Sequence, residues 1–257
     1  MSVLDSIIEG VREDLSRRRR SLSEIHEQMA QAAPALDAHA LLKGSVMKVI
    51  AEVKRSSPSK GALSAIVDPA ALAERYQEAG ASVISVLTEE RRFKGTLADL
   101  TAVRAKVSIP ILRKDFMVDE YQFFEARAHG ADMVLLIVAA LAKSQLRDFY
   151  DLATEMRMAA LIEVHTADEL ERAMEISPRI VGVNSRNLKT LDVDQATFAD
   201  LIPQIPSEVI RVAESGIAQR SDVEFAQSHG ADAILVGEAL VTSTDPTLAM
   251  HTLLGQG

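Results

Sequence analysis

The stretch "IAEVKRSSPSKG" (50–61) sets Glu52 and Lys54 two residues apart in an otherwise apolar, strand-like run. In an extended chain the side chains at i and i+2 share a face, so an acid and a base stand side by side where apolar groups would be expected. Each can keep the other charged in a low-dielectric setting, where an isolated charge would neutralise instead. The pattern recurs along the chain. Apolar runs end in Glu89, in Lys114 and Asp115, in Glu163, in Asn184 and Arg186, in Glu214 and Ser215, and in Gly237. Lys54, Lys114 and Glu163 are each the last polar group of such a run. If these ends converge on one cavity, burial and opposite charges shift their pKa values enough to supply a general acid and a general base.

Two further run-ends, "AESGI" (213–217) and "LVGEA" (235–239), place Gly216 and Gly237 where backbone N–H groups can approach a phosphate closely. His165, beside Glu163, has no second His at a ligand spacing, and Thr166 after it is a plausible helix N-cap. It reads as a loop histidine, and the six histidines form no cluster, so no metal site is expected.

Groups of this kind need a frame that gathers strand ends. Eight short β-branched runs occur, at 48–54, 82–88, 109–116, 132–139, 159–165, 179–185, 209–215 and 233–237. They are nearly continuous rather than alternating in polarity, as strands covered on both faces of a parallel sheet are. Between them lie helical segments such as 68–80, 119–130 and 220–230, each ending in Gly, the residue that best adopts the left-handed C-cap. "EAGAS", "AHGAD" and "SHGAD" put glycines at 80, 130 and 230, spacings that contain two and four strand–helix units of about 25 residues each. The pattern predicts a (β/α)8 TIM barrel in an α/β chain, with a doubly wound open sheet as the alternative.

Residues 1–45 precede the first strand as a helical extension of a single barrel domain spanning 1–257. Leu4, Ile7, Ile8, Val11 and Leu15 form one apolar stripe, which must cover either the barrel or a second subunit.

Composition narrows the function classes. A net charge of −9 argues against nucleic acid as a partner, and the run Arg17 to Arg20, flanked by acids, reads as a solvated helix face. Zero Cys removes disulfides, thiolate chemistry and cysteine metal sites. The longest apolar runs, such as "MVLLIVAALA" (133–142), fall short of the roughly 20 residues that span a bilayer. "MSVLDSIIEGVRED" has no basic segment followed by an apolar one, so no secretory signal is expected and a cytoplasmic location is.

Seven motifs, "IAEVKRSSPSKG", "SVLTEERRFKG", "PILRKDF", "LIEVH", "GVNSRNLKTLDVD", "VAESGI" and "LVGEAL", run in order over nearly the whole chain and resemble the indole-3-glycerol-phosphate synthase family of tryptophan biosynthesis. "EVKRSSPS" and "NSRNLKTL" are specific, whereas the glycine motifs are shared with many phosphate-binding barrels. The resemblance implies a barrel with an amino-terminal helical extension and a carboxy-lyase. Such an enzyme cyclises 1-(2-carboxyphenylamino)-1-deoxyribulose 5-phosphate to indole-3-glycerol phosphate, with release of carbon dioxide and water and no cofactor or metal.

By that resemblance Lys114 protonates the ketone oxygen as the ring closes, and Glu163 is the base of the dehydration. Lys54 either pairs with the substrate carboxylate or serves as the dehydration acid. Glu52 and Glu214 hold the lysines charged, Arg186 suits the carboxylate, and Asn184 a hydroxyl. Phe93, Leu112, Phe116, Leu135 and Leu235 would line a slot for the aromatic ring. Ser57, Ser215, Gly216, Gly237 and Glu238 match phosphate-binding positions, Glu238 only through its backbone N–H. The loop 55–64 would be a mobile lid. A phosphorylated small molecule is the implied partner, with other tryptophan-pathway enzymes beside it, and a chain ending after one barrel should be monofunctional. The competing readings are another phosphate-binding barrel, such as phosphoribosylanthranilate isomerase, and a non-catalytic barrel that binds a phosphorylated ligand.

Overall fold

The computed structural model describes residues 2–188 and 190–256. Eight parallel strands close into a barrel: β1 (Lys48–Val53), β2 (Val83–Leu87), β3 (Ile111–Lys114), β4 (Met133–Ile137), β5 (Ala159–Val164), β6 (Ile180–Asn184), β7 (Ile210–Glu214) and β8 (Ala233–Val236). Each pairs with its neighbours in chain order, and β8 returns to β1 with Ala51 opposite Val236. The strands match the eight runs expected, with the largest trimming at 109–116. There Pro110 has no N–H for the ladder, and Asp115 turns to pair with Arg113. The end of the run at 132–139 becomes a single 3-10 turn, Val138–Ala140.

Alternation along each strand explains where the charges go. Val49, Ala51 and Val53 of β1, like Ile84 and Val86 of β2, point out into the layer beneath the helices. Ile50, Leu112, Met133, Leu161 and Val212 point inward and form the apolar floor of the barrel. Two residues further along the same faces come Glu52, Lys114, Glu163 and Glu214, with Glu52 level with Ser85 and Glu163 level with Gly182. The charged residues of the opening pattern are thus the top layer of the barrel interior. Each buried aliphatic side chain below contributes about 1.5–3 kcal/mol, which offsets the cost of burying ions above.

The helices between strands start and stop as the sequence implies. Asp68 caps the helix Pro69–Glu78 by accepting from Ala70 N–H and Ala71 N–H, and Thr96 and Asp99 form a reciprocal cap on Leu97–Arg104. Gly80, Gly130 and Gly230 follow three helices at φ of +96°, +89° and +100°, where a side chain would be strained.

The extension folds as α1 (Val3–Arg18), α2 (Leu22–Gln31) and α3 (Ala38–Leu42). Ala38 and Leu42 of α3 are fully buried against strand-start residues Ile180 and Ile210, closing the amino-terminal end of the barrel. The stripe of α1 covers the barrel: Ile7 and Val11 join the interior cluster with Phe116 and Val118, and Leu15 packs with Ile25 and Tyr121. The Arg17 to Arg20 run is only partly a solvated face. Arg18 makes two hydrogen bonds to the buried Glu125, at 2.9 and 3.1 Å, and Arg19 pairs with Asp119, so the run fastens α1 to the barrel. No helix among the described residues is long and apolar enough to cross a membrane.

Candidate active site

A cavity of about 830 Å³ opens at the carboxyl-terminal mouth of the barrel. In such barrels this is the end at which loops and strand tips build reactive sites. Its wall contains Glu52, Lys54, Lys114, Glu163, Asn184 and Glu214, all six residues singled out for chemistry. They stand at the carboxyl ends of β1, β3, β5, β6 and β7.

Lys114 is the centre of the cluster. Its Nζ donates to Glu163 Oε2 at 3.0 Å and stands 3.6 Å from Glu214 Oε2. Burial alone would strip the ammonium of its proton, but Glu163, Glu214 and Glu52 outweigh it and hold the Lys114 pKa well above its usual value. Two carboxylates competing for one ammonium cannot both stay ionised cheaply. Burial would raise Glu163 too, yet Lys114 and His165 prevail and hold it well below the usual carboxylate range. Glu214 carries the excess: burial first, then Glu163 beside it, push it up to about 8. Neither of its oxygens has a hydrogen-bond donor in place.

Glycine makes room for these acids. A Cβ at Gly182 would come within 1.9 Å of Glu214 Oε1, and one at Gly237 within 2.8 Å of Glu52 Oε1. Glu52, 3% exposed, pairs with Lys54 Nζ at 2.7 Å and accepts from Ser85 Oγ at 3.4 Å. Glycine inside a strand, which weakens it, is here the condition for a buried carboxyl on the neighbouring strand.

The state of Glu214 has a measurable consequence for stability. A carboxyl with its folded pKa raised contributes stability that is complete below its unfolded value, 4.5, and is lost as pH rises through about 8. Glu214→Gln keeps the neutral shape. Its melting temperature is expected to match that of the parent at pH 5 and to exceed it by about 2 °C or more at pH 9. Thermal melts at the two pH values check this, and an equal difference at both would mean that the carboxyl is already ionised at pH 5.

Around the ionic floor stand the other expected residues. Ser57, Ser215, Gly216, Gly237 and Glu238 line one side of the cavity, and Ser215 and Gly216 adopt successive left-handed conformations, φ +66° and +71°. Such a turn presents consecutive N–H groups to an anion. The Glu238 carboxylate is turned toward Lys60 Nζ, 3.6 Å away. The loop that carries Ser57 and Lys60 is tied by a short hairpin, Ser56–Ser57 with Gly61–Ala62. Arg55 at its base donates to Ile66 O and to Asp99 Oδ1, at 3.3 and 2.9 Å.

The cavity wall also holds Phe93, Phe116, Leu135 and Leu235, with the two Phe rings 6.2 Å apart. Leu112 does not belong with them. It is fully buried in the apolar floor, one layer below Lys114 on the same strand face, and is not in the cavity wall. Val3, Leu4 and Ile7 of α1, together with Ile137 and Leu188, complete the apolar side. The sequence gives the stripe on α1 but not where it docks.

Glu89 also departs from expectation. Its carboxylate accepts from the N–H groups of Arg91, Arg92 and Phe93 at 3.0, 2.7 and 2.9 Å, so it shapes the loop that presents Phe93 and takes no place in the wall. Arg186 donates from its guanidinium to Leu191 O at 2.8 Å and from its backbone to Asn184 Oδ1 at 3.0 Å. The Asn184 amide N–H groups are thereby left for a hydroxyl acceptor. His165 occupies the loop after β5 as expected, but its ring is turned inward and contacts Glu163. Among the described residues no group of three or more acids or histidines is arranged to hold a metal ion.

Fold and site together define a (β/α)8 barrel whose mouth holds a buried cluster of lysines and carboxylates beside the Ser215–Gly216 turn. The likeness to solved structures agrees on the fold. A 3-hexulose-6-phosphate synthase superposes with a TM-score of 0.65 at 18% identity, over 82% of this chain and 99% of that one. An N-acetylmannosamine-6-phosphate 2-epimerase from Clostridium perfringens does so with 0.60 at 14%, over 79% and 90%. Sequence comparison is more specific. A family model described as indole-3-glycerol phosphate synthase matches residues 4–253. Indole-3-glycerol phosphate synthase 1 of Streptomyces coelicolor is 56% identical over 100% of this chain and 96% of the relative. An Arthrobacter indole-3-glycerol phosphate synthase is 58% identical over 96% and 93%. The chain belongs to the indole-3-glycerol phosphate synthase family, and it is a carbon–carbon lyase.

Proposed function

We propose that Lys114 and Glu163 divide the two halves of the reaction between them. The substrate is 1-(2-carboxyphenylamino)-1-deoxyribulose 5-phosphate, and the products are indole-3-glycerol phosphate, carbon dioxide and water. In the first half, the aromatic carbon that bears the carboxylate attacks the sugar ketone while Lys114 gives its proton to the ketone oxygen. A strongly held proton passes only to a strong base, and the oxygen that develops as the ring closes is one. Loss of carbon dioxide then restores the aromatic ring. In the second half, Glu163 removes a proton from the methylene carbon next to nitrogen and the hydroxyl departs as water. Lys54 protonates that hydroxyl, because Lys114 has already surrendered its proton, Lys60 of the wall pairs with Glu238, and Lys54 is held beside the buried Glu52 at 2.7 Å.

The remaining residues position the substrate. Ser57, Ser215, Gly216, Gly237 and the Glu238 N–H receive the phosphate, and Arg186 the carboxylate. Asn184 binds a sugar hydroxyl, and Phe93, Phe116, Leu135 and Leu235 hold the ring. The loop 55–64 closes over the site and excludes water. The barrel and its extension act as one catalytic domain, since Val3, Leu4 and Ile7 complete the apolar wall. The other enzymes of tryptophan synthesis, which make its substrate and consume its product, are its expected partners.

The observation that carries this reading is the buried Lys114–Glu163 pair, 3.0 Å apart, in a cavity whose wall also holds the Ser215–Gly216 turn and the apolar residues Phe93, Phe116 and Leu135. The ring closure and the dehydration each need a proton given or taken that these side chains can supply, so activity is expected to survive chelation. Purified protein treated with a chelator and mixed with the substrate should give rising indole fluorescence. A protein that binds the substrate without producing indole would be a non-catalytic barrel instead.

A further inference from the structure

Glu163 is held from two sides. Lys114 donates to Oε2 at 3.0 Å, and Nε2 of His165 stands 3.3 Å from Oε1, at ion-pair distance but without hydrogen-bond geometry. His165 lies two residues beyond Glu163, so its ring leans to the same inner face. That ring is nearly removed from solvent, with its side chain 8% exposed, and its other nitrogen, Nδ1, lies 3.0 Å from Glu169 Oε2.

Glu169 is itself fixed. It accepts the backbone N–H of His165 at 2.8 Å, and it sits in the first turn of the helix Ala167–Met174, where its own N–H donates to the Thr166 cap at 3.2 Å. Two carboxylates stand within ion-pair distance of the ring, one at each nitrogen, and their charges favour the protonated form. The ring is then an imidazolium. Burial alone would lower its pKa, but Glu163 and Glu169 reverse this and raise it to about 10.

A second cation at Glu163 answers a difficulty in the chemistry. When Lys114 gives up its proton at ring closure, Glu163 loses its ion-pair partner while buried beside Glu214. Desolvation and the neighbouring carboxyl would then draw a proton onto Glu163 before the dehydration that needs it as a base. We infer that His165 is a positioning residue for Glu163: its imidazolium, anchored by Glu169, keeps the Glu163 carboxylate ionised and oriented after Lys114 has become neutral. Glu163 and Glu169 are the acids within ion-pair distance of the ring, Lys114 faces Glu163 from β3, and Glu214 faces it from β7.

The inference rests on Glu163 as the base, and the test separates the two. His165→Gln removes the charge while keeping a donor, and Glu169→Gln loosens the anchor from a partly exposed position. Steady-state kinetics of both from pH 5 to 9 should show kcat about tenfold or more below the parent for His165→Gln, with KM within about twofold. The acidic limb of kcat should move up by about one pH unit, and Glu169→Gln should move it the same way by less. Parental kcat with an unmoved limb in folded His165→Gln would overturn the proposal, and so would a fall in kcat with no shift of the limb, which marks a merely structural role. Glu163→Gln, run alongside, reports on the base itself. If it is inactive while His165→Gln is normal, only the role of His165 fails. If it is fully active, the base assignment fails first.

Discussion

Lys114→Ala is expected to lower kcat by more than about a hundredfold, equivalent to about 2.7 kcal/mol of transition-state stabilisation. Among the described residues Lys114 is the one ammonium within ion-pair distance of both Glu163 and Glu214, so none of them replaces it without rearrangement. Its removal also unbalances the floor, since breaking a buried ion pair at one partner costs on the order of 3–5 kcal/mol when the other charge is stranded. Here the stranded acids have a way out: Glu214 already tends to hold a proton near neutral pH, and Glu163 keeps His165 at ion-pair distance. The variant should therefore remain folded at pH 6 to 7 and lose stability mainly as pH rises. Steady-state kinetics beside a thermal melt distinguish a lost acid from a lost fold, and near-parental turnover would remove Lys114 from the mechanism.

Glu163→Gln is the second large effect, again more than about a hundredfold in kcat. The amide keeps the shape and can still accept from Lys114, but it cannot take a proton from carbon. Ground-state binding should change little, because the residues proposed to hold the phosphate and the ring are other members of the cavity wall. A kcat within tenfold of the parent would show that another group, with Glu214 the nearest carboxyl, serves as the base.

What could be read from the sequence was whatever depends on local periodicity. Period-two alternation in the strands put Glu52 with Lys54 and marked Lys114, Glu163 and Glu214 as strand-end groups, and closure of the barrel brought them to one mouth. Depth was not readable in the same way. Leu112 shares a face with Lys114, but the tilt and stagger of the strands decide which layer faces the cavity and which is floor. Position along the loop was readable for His165 and Glu89, but the direction of their side chains was not. Each is set by a partner brought close by a turn, Glu169 in one case and three backbone N–H groups in the other. Gly182 was visible as a glycine within a strand. Its reason, the carboxyl of Glu214 from the adjacent strand, exists only once β6 and β7 are in register.

The central claim is that Lys114 serves ring closure and Glu163 serves dehydration. Single-turnover reactions with substrate labelled in its carboxylate carbon test it, with labelled carbon dioxide and indole absorbance followed together. Glu163→Gln should release carbon dioxide well ahead of any indole, and Lys114→Ala should be slow in both. Glu163→Gln blocking carbon dioxide release as completely as indole formation, or Lys114→Ala releasing carbon dioxide at the parental rate, would contradict the division.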